Sequence, residues 1–199
     1  AQYQVNPNRS IVNADTDYAF GGAKQYPDAQ ASVPFAVMRN SGTVNMYGNS
    51  AVAGLLVLGS NQTGSRSDYL LVNDGTIIGN YLNSTDKGHI GMGFSQYGNG
   101  TASTVGERFV IGNDGKMEFQ APSSTAFYMG GVSINKYQTV YNRGNIDLYG
   151  SESFGIRMGY STLSGSTPGT NQINTKILLE SPINLHGDNS VWVYYSPMN

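Results

Sequence analysis

The chain has 199 residues, a formal net charge of −2, 12% charged residues and no cysteine. Its 11 basic residues form no run, which leaves no electrostatic footprint for nucleic acid or an anionic membrane surface. The missing cysteines exclude a disulfide framework and any thiolate metal site, and the low charge passes the polar surface to Asn, Ser, Thr, Gly and Tyr.

Residues 1–34 carry Tyr18, Phe20, Tyr26 and the prolines Pro7, Pro27 and Pro34 in no regular pattern, and read as an irregular N-terminal segment or a cap. Order begins at residue 35. An apolar run at 35–38 leads to Asn40-Ser41-Gly42, which opens a short alternating strand with Val44 and Met46 on one face, followed by Leu56-Val57-Leu58-Gly59. The same three signals return at 69–72, Asn73-Asp74-Gly75 with Ile77 and Gly79, and Ile90-Gly91-Met92-Gly93. They return again at 109–111, Asn113-Asp114-Gly115 with Met117 and Phe119, and Phe127-Tyr128-Met129-Gly130. A fourth copy has 139–141, Asn142-Arg143-Gly144 with Ile146 and Leu148, and Ile156-Arg157-Met158-Gly159. The fifth is degenerate: 177–179, then Ser181-Pro182 where Asn-x-Gly should stand, then Ile183 and Leu185, and finally Val191-Trp192-Val193.

The period identifies the stack. From Gly42 to Gly75 is 33 residues, from Gly75 to Gly115 is 40, from Gly115 to Gly144 is 29, and from Ile146 to Ile183 is 37. Such spacing marks solenoids, propellers or arrays, with the variable part in outer loops. A propeller would need hairpins between antiparallel strands, and no stretch sustains the 3.6-residue periodicity of helical repeats. The sequence therefore predicts an all-β, right-handed parallel β-helix with about three strands per coil and long loops. About five coils span residues 35–199, and the stack is expected to continue beyond them. Equivalent residues then form columns along the axis. One inward column is Val44, Ile77, Met117, Ile146 and Ile183, and a second is Met46, Phe119, Leu148 and Leu185, interrupted at Gly79. Asn40, Asn73, Asn113 and Asn142 should stack at a corner, each followed by a Gly that tolerates positive φ.

The segments from Asn142 to Ile156 and from Ile183 to Val191, with their Asn-x-Gly-x-Ile-x-Leu-x-Gly pattern, resemble passenger repeats of type V autotransporter adhesins, in particular the very large fusobacterial-type passengers. The resemblance covers residues 36–196 with gaps and leaves out 1–34. It implies a β-helical stalk on the cell surface, outside an outer membrane, anchored through a C-terminal barrel absent from this chain. It also implies attachment to a host or bacterial cell-surface receptor, protein or glycan, without naming one.

Three sets of residues are candidates for recognition. On the strand that closes each repeat, the outward column is read as Val57, Gly91, Tyr128, Arg157 and Trp192, whose last three members form an aromatic and guanidinium platform. Loops at residues 61–67, 97–106 and 161–174 supply Arg66, Tyr97 and Tyr160. Outward positions Asn45, Ile78, Glu118, Asp147 and Asn184 put two carboxylates on adjacent coils, the spacing retaining glycoside hydrolysis uses, although His89 and His186 pair with no nucleophile. The reading is a non-enzymatic adhesin segment with no metal and no cofactor. The alternatives are a β-helical polysaccharide-degrading enzyme or phage tail fibre fragment, and a passenger that associates with itself.

Overall fold

The computed structural model describes residues 2–4, 35–48, 52–59, 68–84, 86, 88–96, 107–131, 136–159 and 173–196. Short β1 (Gln2–Gln4) is followed by five three-strand coils. These are β2 (Phe35–Asn40), β3 (Thr43–Met46) and β4 (Ala53–Gly59); β5 (Asp68–Asn73), β6 (Thr76–Gly79) and β7 (Ile90–Gln96); β8 (Glu107–Asn113), β9 (Lys116–Phe119) and β10 (Thr125–Gly131). Two more follow: β11 (Lys136–Asn142), β12 (Asn145–Leu148) and β13 (Phe154–Gly159), then β14 (Ile173–Leu179), β15 (Ile183–Leu185) and β16 (Val191–Ser196). The described residues contain no helix.

Each strand pairs, always in parallel, with its counterpart one coil away. Sheet A runs β1-β2-β5-β8-β11-β14, sheet B runs β3-β6-β9-β12-β15 and sheet C runs β4-β7-β10-β13-β16. The molecule is thus a parallel β-helix with three strands per coil.

Alternation in sheet B sends every second side chain into the core. Val44, Ile77, Met117, Ile146 and Ile183 are in register and nearly inaccessible, and so are Met46, Phe119 and Leu148. Sheet A contributes Met38, Leu71, Ile111 and Val140 in register, and sheet C contributes Leu55, Met92, Phe127 and Ile156. Each such side chain stabilises the fold by about 1.5–3 kcal/mol relative to exposure. The interruption at Gly79 is filled from outside its own strand. A Cβ there would lie 2.4 Å from Phe119 Cδ1 and 2.7 Å from His89 Nδ1, so the Phe119 ring and the buried His89 occupy the space.

The corner between sheets A and B is an amide ladder. Asn40 Nδ2 donates to Asn73 Oδ1 at 2.8 Å, Asn73 to Asn113 at 2.7 Å, and Asn113 to Asn142 at 2.8 Å, all fully buried. Each Asn carbonyl accepts two backbone N–H groups of the next coil, as Asn73 does from Asp114 at 2.8 Å and Gly115 at 2.9 Å. The glycine of the motif serves close approach rather than positive φ. A Cβ on Gly75, Gly115 or Gly144 would fall about 2 Å from the carbonyl oxygen of the preceding coil, whereas the described glycines with positive φ are Gly48 and Gly88. In the fifth coil Leu179 takes the Asn register position, and Asn142 Nδ2 turns to Ser181 O at 3.0 Å.

The corner between sheets B and C carries a second ladder that the sequence does not announce. Ser124 N donates to Ser153 Oγ at 3.2 Å and Ser153 N to Ser190 Oγ at 3.1 Å. The residues before them, Ser123, Glu152 and Asn189, share a left-handed backbone with φ of 57°, 56° and 57°.

Candidate recognition surface

In sheet C the ladder lapses at one place in every coil. Gly54, Gly91, Ala126, Gly155 and Trp192 have no register partner, while the residues on either side pair normally. Two adjacent residues therefore face inward, shown by Ala126 with Phe127 and by Gly155 with Ile156, all buried. Aligning the apolar runs on the glycines that end them sets the expected outward column out of register with the observed pairing. The observed column is Leu56, Gly93, Tyr128, Arg157 and Tyr194. Tyr128 and Arg157 are brought together as expected, but Val57, Gly91 and Trp192 are not in their column. Trp192 stands two residues before Tyr194, at the lapse, and is 62% exposed.

What meets Arg157 is Phe154, which the sequence reading had missed. The guanidinium carbon lies 5.2 Å from the Phe154 ring centre, and that ring lies 5.1 Å from Tyr194 at a 50° tilt. The lapse lets residues 154 and 157 share a face that strict alternation would deny them. Half-buried Tyr128, exposed Arg157, half-buried Phe154 and exposed Tyr194 then make one aromatic and cationic surface. The loop candidates Arg66, Tyr97 and Tyr160 lie outside the described residues.

The carboxylates on sheet B sit where expected, with Glu118 and Asp147 paired in register. Both are already engaged. Glu118 accepts from Lys116 Nζ at 2.6 Å and Gln120 Nε2 at 3.0 Å. Asp147 meets Asn145 at 2.6 Å, Asn184 at 3.1 Å and His186 Nε2 at 3.1 Å, and the His186 ring stacks on Tyr149 with centres 4.5 Å apart. The bond from Lys116 is the main reason that Glu118 titrates below its ordinary range. At Asp147 burial pushes upward, but hydrogen bonds from His186, Asn184 and Asn145 outweigh it and the net shift is downward. Glycoside hydrolysis needs one carboxyl held protonated near neutral pH, and the shifts at Glu118 and Asp147 run in the opposite direction.

The Asn-x-Gly corner adds charged rungs through its middle residue. Arg39 bonds Asp74 on the next coil. Arg143 grips Asp114 through Nε at 2.6 Å and Nη2 at 3.0 Å, lies 4.9 Å over the Tyr141 ring, and Tyr141 OH donates to Asp114 at 3.2 Å. The bond from Arg143 is the chief cause of the lowered Asp114 pKa. No group of His, Asp and Glu able to hold a metal ion occurs among the described residues.

No curated protein and no solved structure matches the chain. A family profile described as the BigA fourth domain matches residues 7–153, well over half of the chain. The chain therefore belongs to the BigA fourth domain family, an adhesin-type domain of bacterial surface proteins.

Proposed function

We propose that this domain is a non-enzymatic recognition segment of a bacterial surface adhesin, and that it engages a protein or glycan receptor through the outer face of sheet C. The observation that carries the proposal is the Phe154, Arg157 and Tyr194 contact beside Tyr128. Tyr128, Phe154 and Arg157 sit on strands paired on both sides in sheet C, so little ordering entropy is lost there on binding. Arginine and tyrosine are also the residue types that dominate measured binding energy at interfaces. Aromatic faces accept sugar rings and aliphatic side chains alike, and the guanidinium adds a planar donor set.

The repeating three-strand coil and low charge also favour a passenger-type stalk displayed outside an outer membrane, with the parent protein attaching to host cells or to other bacteria. The test is binding of the purified chain to immobilised glycans and to host cells, compared with the triple variant Tyr128→Ala, Arg157→Ala, Tyr194→Ala. Saturable binding that drops at least tenfold in a folded variant is expected. Binding unchanged by the three substitutions would move recognition off sheet C, and no binding by either protein would leave this segment a stalk.

A further inference from the structure

Trp192 occupies a column in which every other member is glycine or alanine: Gly54, Gly91, Ala126, Gly155, then Trp192. The reason for the small residues is geometric. A Cβ on Gly54 would lie 2.5 Å from the Gly91 carbonyl oxygen and 2.9 Å from Ile77 Cγ2. On Gly91 it would lie 2.7 Å from Ala126 O and 2.8 Å from Met117 Sδ, and on Gly155 it would lie 2.7 Å from Trp192 O and 3.2 Å from Ile183 Cδ1. In each case the side-chain direction runs into the next coil, against its backbone in sheet C and its core side chain from sheet B. Read in that register, Trp192 aims an indole at the space a following coil would fill.

Two further features of the fifth coil agree. Ile183 is only 4% exposed, although no described strand lies beyond β15, while its neighbours Val193 and Leu179 are 42% and 45% exposed. Leu179 also replaces the ladder asparagine, so an incoming coil would find no amide to continue the chain of bonds.

We infer that Trp192 is a stop: it shields Ile183 at the fifth coil and bars the coil of a second copy from stacking on β16. The surface so protected is open to strand addition, since β14, β15 and β16 have no further partner among the described residues and Leu179, Val191 and Val193 are exposed beside them. Head-to-tail growth of the stack is blocked by one side chain.

Light scattering over a roughly hundredfold concentration range tests this through mass action. Wild type and Trp192→Phe are expected to hold one mass, whereas Trp192→Gly and Trp192→Ala, which restore the column's own residues, should at least double in weight-average mass. Because Trp192 is the single tryptophan, wild-type emission gives a reading that needs no variant, and a constant wavelength is expected. A blue shift with rising concentration, or folded Gly and Ala variants that stay as monomeric as wild type, would overturn the inference. If only the Gly and Ala variants fail to fold while Trp192→Phe folds, the shielding role stands.

Discussion

At the scale of single residues, the interior of this β-helix depends on a few polar side chains that are fully satisfied by their neighbours. Asn113 accepts from Asn73, and its Nδ2 donates to Asn142 and, at 3.2 Å, to Gly115 O. Asn113→Ala leaves the Asn142 oxygen buried without that donor, at a cost of about 1–3 kcal/mol, read as a lower urea midpoint. Asn113→Asp should be worse, because the carboxylate sets a buried acceptor against the Asn142 oxygen. His89 is the exception to full satisfaction. Its Nε2 lies 3.0 Å from Gly48 O and donates to it in the neutral ring, and Nδ1 has no partner. Burial lowers the His89 pKa, and the Gly48 bond and the Asp86 charge only partly oppose it. The unfolded chain therefore binds a proton near its ordinary pKa of about 6.5 while the folded chain does not. Stability should fall as pH drops below about 6.5, with a slope bounded by about 1.4 kcal/mol per pH unit, and His89→Gln should flatten that slope in midpoints measured from pH 7 to 5. The depressed carboxyls Glu118, Asp114 and Asp147 give a separate loss as pH falls below about 4. The asparagine ladder was legible because a buried amide must find a partner and the tripeptide repeats. The role of His89 was not, since nothing in Gly79 itself says which distant residue fills its hollow.

At the scale of the strand, sheets A and B followed the period-two rule, and columns counted from Asn-x-Gly fell where alternation put them. Sheet C did not, because every strand in it spends one extra residue facing inward. Counting back from the glycines that end the apolar runs slipped the register by one in β4 and two in β7, and the fifth run, which has no such glycine, was set two residues early, with Trp192 where Tyr194 stands. Phe154 was missed because of the extra inward residue. The small residue at the lapse is the element's most sensitive position. Gly91→Val drives methyl groups into Ala126 O and Met117 Sδ, and should destabilise by about 1–3 kcal/mol or more through overpacking, measurable by denaturant titration. By contrast Arg143→Ala removes an exposed, solvent-screened ion pair with Asp114, and its denaturation midpoint should stay close to wild type.

At the scale of the whole molecule, each coil bonds only to its neighbours, so stability is distributed along one axis and not gathered at one centre. Among the described residues, coil three has partners on both sides in all three sheets, and coil five has them on one side only. Amide exchange should accordingly be slowest in β8 to β10 and fastest in β14 to β16, and uniform protection would contradict this nearest-neighbour picture. The hydrogen bonds between coils also lie along that axis. Coils one to five repeat at intervals of 33, 40, 29 and 37 residues. Force applied between the chain ends would peel one coil after another, each releasing about 100–140 Å of extended chain. Single-molecule extension should show a staircase and not one rupture. A tether that lengthens in such steps spreads a sudden load over time, so that a bond to a receptor outlasts a pull that would break it if the connection were stiff.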